Sequence, residues 1–450
     1  MPIIYRDEYL RKNFLNHILA ISNEKPDFYS ENKDLYFSCL EKSSAKINDA
    51  VIKSFFHPYI LSTSEFNWIK EKTETLWSIL EKTARLLLTD KEVRAFFDFP
   101  AELDELLQID PKYPINIPIT RFDAFYDGSS SLHFCEFNTD GTSGMNETNT
   151  MEECFLNTEM GGHLLKKYSL MQCELRKALL NSLLEAYSSF DGSNKPTIAI
   201  VDFMDRATIA EFEALRDAFM KEGYDTIICD IRSLCFRRNK LWCGEKRIDL
   251  VYRRAVTSDI LERYDEVQEF IEAYKNNAFC MVGSFRSEAA HSKLVFTFLT
   301  SETAKKFFSH EEMEFLKTHL PKTRRLLSND RTFHTELLSK REVYLVKPHN
   351  SYGSQGLYMG KDCSLEEWQA IIESNVDINY IAQELIQVPE EEFVTSQGAV
   401  EKLKINLSPY LFNGKLKGFY TRVSTIDIIT TSRGGALIPT LVQQETRGIK

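Results

Sequence analysis

Acidic, basic and amide side chains alternate with apolar ones in two neighbouring stretches of the chain, RFDAFYD and LHFCEFN. Side chains of a β-strand alternate between its two faces, so Arg121 shares a face with Asp123, and Glu136 shares one with Asn138. A hairpin that turns at the intervening Asp-Gly pair sets Asp123 opposite Glu136 and Arg121 near Asn138. Carboxylate and amide oxygens suit Mg²⁺, which commonly keeps phosphate oxygens in its remaining positions. The spacing therefore indicates a metal site. A solvated hairpin face with an Arg–carboxylate pair is the alternative.

Two further segments could contribute charge and backbone donors. YLVKPHNSYGSQGLYMGK joins a short apolar strand to a loop that contains Gly353 and Gly356. Backbone N–H groups of such a loop can form an anion nest, and Lys347 beside it is a point charge for phosphate. The glycine spacing is not that of a Walker A loop, and a glycine-bearing hairpin without a ligand fits the pattern equally well. In the segment NLSPYLFNGKLKGFYTR, the Asn-Gly pair predicts a hairpin turn that places Arg422 on its second strand.

Glycines concentrate in and around these segments. The chain of 450 residues has only 18 glycines, about 4% against a usual share of roughly 7%. Twelve of them lie in the windows 128–162, 353–360 and 414–435. Such clusters indicate backbone that turns sharply or approaches a ligand closely.

The elements that must position these residues are of mixed type, which predicts an α/β (α+β) fold. Apolar residues recur at helical spacing through the first hundred residues. After a DGSN linker, TIAIVD, an amphipathic helix and TIICD form a βαβ unit of a small parallel sheet, which the segments near 250–253 and 278–282 extend. The remainder is rich in predicted strands. No G-x-G-x-x-G follows TIAIVD, so a dinucleotide-binding transferase is poorly supported.

Composition narrows the class of protein. The net charge of −11 argues against nucleic acid as a partner. No apolar run approaches the roughly 18 residues of a membrane span, and the first residues lack the apolar region of a signal peptide. The nine cysteines are odd in number and form no C-x-x-C pair. We therefore predict a cytoplasmic protein with reduced thiols, without a disulfide framework or a zinc site and without a membrane partner.

Together, these segments resemble the circularly permuted branch of the ATP-grasp ligases, most closely glutathionylspermidine synthase and its bacterial relatives. Arg121-Phe-Asp123 and Glu136-Phe-Asn138-Thr-Asp140 are similar to that family's R-x-D and E-x-N-x-D strands. YLVKPHNSYGSQG is similar to its nucleotide loop, and INLSPYLFNGKLKGFYTRVS to its arginine-bearing hairpin. FRSEAAHSKLVFTFL is similar to a helix whose lysine reaches the nucleotide. The four motifs span about residues 119 to 440 in the family's permuted order.

The resemblance implies a role for each matching residue. Asp123, Glu136 and Asn138 would hold Mg²⁺, while Arg121 and Arg422 would meet the γ-phosphate and the acyl-phosphate transition state. The nucleotide would be bound by Lys293, Lys347, Gly353, Ser354, Gly356, Gln383, Glu384, Leu385 and Ile386.

The implied reaction is ATP-dependent ligation of a carboxylate to an amine, with ATP and Mg²⁺ as cofactors and small-molecule substrates. The carboxylate takes the γ-phosphoryl group to give an acyl phosphate, which the amine attacks with release of phosphate. Thr142 and Ser143 would lie where the synthase handles its carboxylate substrate. A non-catalytic ATP-binding module of the same fold is the alternative, although such a module would not need two acidic metal ligands plus an arginine.

The resemblance also implies a division of the chain. The predicted units are a helical N-terminal region (1–118), the metal hairpin with following helices (119–192), a small parallel domain like that preceding an ATP-grasp core (193–285), and the nucleotide-binding region (286–450).

Overall fold

The N-terminal part of the chain is mostly helical, as its periodicity predicts. The computed structural model describes residues 4–47, 50–190, 194–350, 355–395 and 399–444. The helices of this part are Ile4–Glu24, Pro26–Lys42, Thr63–Thr89, Lys91–Phe97 and Ala101–Gln108, and its short strands are Lys46–Ile47, Ala50–Val51 and Tyr59–Leu61. The longest helix begins at a capping box, in which Ser62 Oγ accepts the N–H of Glu65 at 3.0 Å and the Glu65 carboxylate accepts the N–H of Ser62 at 2.9 Å.

A six-stranded antiparallel sheet, called the central sheet below, contains the predicted metal hairpin. Its strands are Ile119–Tyr126, Leu132–Asn138, Glu390–Val394, Val400–Phe412, Lys415–Ser424 and Ala436–Ile438. The first strand of the metal hairpin pairs with Val400–Phe412, which in turn forms the arginine hairpin with Lys415–Ser424. Asn413 and Gly414, which turn that hairpin, have positive φ of 47° and 74°. A turn of this kind is the one that an Asn-Gly pair favours.

The parallel sheet lies beside the central sheet in sequence and confirms the predicted βαβ unit. Its strands, in spatial order, are Cys280–Val282, Leu250–Arg253, Ile198–Asp202 and Thr226–Asp230. The helix Ile209–Lys221 makes the crossover between two of these strands, whose side chains are mostly buried. The strands Leu234–Arg237, Lys240–Cys243 and Lys246–Ile248 form a separate antiparallel sheet, and the helices Thr257–Glu262 and Gln268–Lys275 follow the third strand of the parallel sheet.

A third sheet, called the small sheet below, contains Lys347. Its strands, in spatial order, are Thr323–Arg325, Tyr380–Glu384, Tyr344–Pro348 and Tyr358–Met359, all antiparallel. The helices Arg331–Ser339 and Leu365–Ser374 cover it and contribute to a separate apolar core. Trp368, fully buried in that core, donates its indole N–H to the carbonyl oxygen of Leu337 at 3.0 Å.

Further helices connect these sheets. They are Met145–Leu156, Glu159–Tyr168, Leu175–Phe190, Glu288–His291, Leu294–Leu299 and His310–His319. The glycine pair at 161–162 was expected to interrupt a long helix, but it lies inside Glu159–Tyr168. A Cβ atom at Gly161 would stand 1.9 Å from the carbonyl oxygen of Phe155, so this glycine permits the close packing of successive helices. The strand Thr440–Gln443 pairs with Tyr59–Leu61 and with Leu170–Met171.

One expectation from the cysteines is wrong, because Cys39 and Cys154 form a disulfide. It joins the helix Pro26–Lys42 to the helix Met145–Leu156 across 115 residues of sequence. The spacing of cysteines does not reveal such a pairing. The other seven cysteines are free thiols. Among the described residues, no helix combines the length and apolar character that a bilayer crossing requires.

Candidate active site

The metal hairpin has the register that the sequence predicts. Asp123 lies opposite Glu136 and Arg121 lies opposite Asn138, with an irregularity in the ladder directly after Asp123. The alternate side chains face the core, where Phe122 is fully buried. Strand alternation alone thus brings two carboxylates, an amide and a guanidinium to one face of the central sheet.

Asp123 is the hydrogen-bonding centre of this face. Its Oδ1 accepts hydrogen bonds from Arg121 Nε at 3.2 Å, Ser408 Oγ at 3.1 Å and Asn138 Nδ2 at 3.3 Å. Its Oδ2 accepts one from Arg422 Nη2. With 5% of its surface exposed, Asp123 is a buried carboxylate whose charge two arginines offset. The structure therefore brings both predicted catalytic arginines to the predicted metal hairpin.

Asn406 and Ser408 belong to this cluster and were not singled out from the sequence. Asn406 Oδ1 accepts from Arg422 Nε at 3.2 Å and from Arg422 Nη2 at 2.7 Å, and Asn406 Nδ2 donates to the carbonyl oxygen of Ala124 at 3.1 Å. A signal for Asn406 was present, since the Asn-Gly turn of the arginine hairpin places it directly opposite Arg422. Both residues are buried.

The two predicted nucleotide lysines converge on Glu136 from different elements. Lys293 Nζ lies 2.8 Å from Glu136 Oε1, and the backbone N–H of Lys293 donates to the carbonyl oxygen of His349 at 2.9 Å. Burial by itself raises the pKa of Glu136, but the charges of Lys293 and Lys347 outweigh it and lower that pKa to about 2. Burial lowers the pKa of Lys347, and the charge of Glu136 opposes that effect. Glu136 is therefore an ionised carboxylate between two cations.

The predicted adenine-side segment lies on the small sheet beside Lys347. Gln383 is buried, and its Oε1 accepts a hydrogen bond from Lys347 Nζ at 2.9 Å while its Nε2 donates to Thr323 Oγ1 at 3.0 Å. The backbone N–H of Leu385 donates to the carbonyl oxygen of Val343 at 2.8 Å. The side chains that follow Gln383 are half-buried, namely Glu384, Leu385 and Ile386.

The predicted phosphate loop is only partly within the described residues. Gly353 and Ser354 lie outside them. Gly356 has a φ of +67°, and a Cβ atom there would stand 2.6 Å from Tyr380 Oη and 3.0 Å from Pro348. Both the backbone conformation and the close approach therefore require glycine at this position.

The chain that follows the metal hairpin passes Arg121. Arg121 Nη1 donates to the carbonyl oxygen of Ser143 at 2.9 Å, and the hydroxyl of Tyr410 donates to the same oxygen. Thr142 Oγ1 donates to the carbonyl oxygen of Asn138 at 2.8 Å. The predicted substrate-side residues thus lie next to the arginine, although their contacts are internal.

A buried acidic pair lies behind this loop. Glu211 Oε1 accepts the N–H groups of Gly144 and Met145 at 2.8 and 3.0 Å, and its Oε2 accepts from Arg254 Nη1 at 2.8 Å. Glu147, 2% exposed, has an Oε2 atom without a hydrogen-bond partner. Burial and the nearby Glu211 charge raise the pKa of Glu147 well above its usual value. Glu147 therefore carries its proton at neutral pH.

The ligand set expected for Mg²⁺ has two carboxylates and an amide oxygen. In the part of the chain that the structure describes, no group of three or more His, Cys, Asp or Glu side chains is arranged to hold a metal ion. The Mg²⁺ site consequently remains a prediction. It depends on Asn138 as the third ligand.

Comparison with known proteins gives a structural similarity. No family model and no curated protein matches the sequence. The apo structure of a glutathione synthetase-like effector from Globodera pallida matches with a TM-score of 0.57 and 12% identity, over 92% of this chain and 96% of that one. A γ-glutamylcysteine synthetase-like protein from Methylobacillus flagellatus KT matches at a TM-score of 0.40 and 10% identity, over 82% and 88% of the two chains. The chain therefore has a mixed α+β fold that it shares, along nearly its whole length, with a glutathione synthetase-like protein.

Proposed function

We propose that this protein is an ATP-dependent ligase that joins a carboxylate to an amine through an acyl phosphate. The observation that carries this proposal is the convergence of Lys293 and Lys347 on Glu136, beside the arginines that bind Asp123. A cluster of fixed cations next to two carboxylates suits phosphoryl transfer, in which positioning and electrostatic stabilisation supply most of the catalysis. The shared fold with a glutathione synthetase-like protein is consistent with this chemistry.

The residues present fit a magnesium ion. Asp123, Glu136 and Asn138 offer the hard oxygen ligands that Mg²⁺ takes, and the neighbouring lysines would hold the phosphates that complete its coordination. When bound, the ion would neutralise charge on the transferring phosphoryl group. The finer proposal is a permuted ATP-grasp enzyme similar to glutathionylspermidine synthase, divided into the four units predicted from the sequence.

Each cationic residue has its own role in this proposal. Lys347, which Gln383 orients, and Lys293 would bind the ATP phosphates, and the Gly356 loop would close over them. Arg422 and Arg121 would stabilise charge on the γ-phosphoryl group and on the acyl phosphate. Because Arg121 also binds the carbonyl oxygen of Ser143, the carboxylate substrate would enter beside Thr142 and Ser143.

A substrate screen tests the proposal. The protein is incubated with ATP, Mg²⁺ and pools of amino acids, glutathione and polyamines, and ADP and phosphate release are measured. We expect release that requires both a carboxylate and an amine. Tight ATP binding without substrate-dependent release from a broad panel would favour the non-catalytic ATP-binding module instead.

A further inference from the structure

The candidate active site holds more positive than negative charge. Its carboxylates are Asp123 and Glu136. Its cationic side chains are Arg121, Lys293, Lys347 and Arg422. The cluster thus has an excess of two positive charges.

Both carboxylates are already paired with cations of the protein. Glu136 Oε1 lies 2.8 Å from Lys293 Nζ. Asp123 binds Arg422 through Oδ2, and its Oδ1 accepts three further hydrogen bonds. A metal ion that reaches either carboxylate must therefore displace a lysine or an arginine.

A divalent cation alone gains little from such a displacement. It would add two positive charges to a cluster that has an excess of them, and it would leave Lys293 and Arg422 without their carboxylates in a largely buried region. A nucleoside triphosphate removes this obstacle, because its phosphate oxygens accept the displaced cations. The complex of a triphosphate with a divalent ion carries about two negative charges, which matches the excess in the site.

We propose, as an extension of the function proposed above, that the site binds a divalent cation and a nucleoside triphosphate only together, by exchange of two ion pairs. Lys293 leaves Glu136 and Arg422 leaves Asp123 for phosphate oxygens, and the two carboxylates become available to the metal ion.

Asn406 is the positioning residue that makes this exchange a small movement. Its Oδ1 accepts two hydrogen bonds from Arg422, at 3.2 and 2.7 Å, and these do not depend on Asp123. Asn406 is itself fixed by its hydrogen bond to the carbonyl oxygen of Ala124. Arg422 can therefore give up the carboxylate while its guanidinium stays in the site.

Mn²⁺ binding tests the proposal without any turnover. The free ion is measured by electron paramagnetic resonance during titration of the full chain, with and without the non-hydrolysable analogue AMPPNP. We expect Mn²⁺ to bind at least about tenfold more tightly when AMPPNP is present. Equal Mn²⁺ affinity with and without AMPPNP would overturn the exchange and leave the ligase proposal intact. If AMPPNP does not bind under any condition, the ligase proposal fails, and the exchange fails with it.

Two variants separate the exchange from a structural role of the ion pairs. Lys293→Gln releases Glu136, so Mn²⁺ alone should bind about tenfold more tightly, whereas Mn²⁺ with AMPPNP should bind about tenfold more weakly. Arg422→Gln makes the same test at Asp123, in case Lys293→Gln does not fold. Lys82→Gln breaks an ion pair of similar length with Glu312, outside this site, and should change neither affinity. A fall in both affinities in the folded Lys293 and Arg422 variants would contradict the proposal.

Discussion

Two arginine–carboxylate clusters follow from the same hairpin, and they differ in how their hydrogen bonds are distributed. In the candidate active site, Asp123 is bound mainly by side chains, two of which are cationic. In the second cluster, Asp140 pairs with Arg253 and accepts the backbone N–H of Thr257 at 2.6 Å. Arg253 also donates to the backbone oxygens of Gly283 and Ala255, each at 2.6 Å.

The difference teaches which carboxylates of the E-x-N-x-D motif can serve chemistry. Asp140 and Arg253 are 1% and 0% exposed, and each is held by backbone groups that cannot move aside. Burial tends to raise the pKa of Asp140, but the Arg253 charge outweighs it and lowers that pKa. Glu136 has 31% of its side chain exposed and a single lysine at hydrogen-bonding distance in its recorded ion pair. The second cluster therefore fixes the parallel sheet to the hairpin, whereas the first keeps partners that a ligand can replace.

Removal of Asp140 should have the largest effect on folding. Asp140→Ala leaves Arg253 buried without its counter-ion, which typically costs about 3–5 kcal/mol of stability. Urea denaturation measures the loss. Asp123→Asn is the matched control and should cost less, because Arg422 retains Asn406. An equal loss in the two variants would remove the distinction between the clusters.

Glu136→Gln and Lys347→Ala should affect turnover instead of folding. Each removes a group on which the proposed phosphoryl transfer depends, so substrate-dependent ADP release should fall by about 10²–10³-fold. Denaturation midpoints near that of the wild type would exclude unfolding as the cause. A wild-type rate in either variant would refute the site assignment.

Loss of the disulfide should act on the N-terminal helices. Cys39→Ser, or reduction of the wild type, should lower the free energy of unfolding by about 2–4 kcal/mol, as expected for a bond that closes a long loop. Cys235→Ser, at an exposed free thiol, is the control and should leave stability unchanged. If the reductant has no effect on the wild type, the disulfide does not stabilise the fold.

Glu147 should produce the smallest effect, visible as a dependence on pH. Its folded-state pKa is raised, so the folded protein keeps a proton that the unfolded chain releases above pH of about 4.3. Stability from this group is present below that pH and decreases as the pH rises. Glu147→Gln removes this decrease, and its stability relative to wild type should increase between pH 4 and pH 7 by about 1 kcal/mol. Urea denaturation at both values measures the difference, and a constant difference would contradict the assignment.

Local patterns in the sequence predicted much of the site. Side-chain alternation and the turn residues were sufficient to predict that Asp123 faces Glu136, and the Asn-Gly pair gave the arginine hairpin. These features depend on neighbours along one hairpin, where period and turn chemistry determine the register.

What the sequence did not reveal depends on the docking of distant elements. The partner of Asp140 lies on the parallel sheet, and the partner of Cys39 lies 115 residues away. The same holds for the backbone oxygen near Gly161, which belongs to the end of the preceding helix. Such contacts follow from three-dimensional packing, which no spacing rule along the chain encodes.

The pairing of the metal hairpin with Val400–Phe412 also determines when the site can form during synthesis. The hairpin Ile119–Asn138 is made early, but the strand that covers its inner edge, and Arg422 beyond it, leave the ribosome only near the end of translation. Until then the hairpin presents an unpaired strand edge, which is a recognised target for non-native association. The last quarter of the chain therefore completes the site and also protects the nascent protein from aggregation.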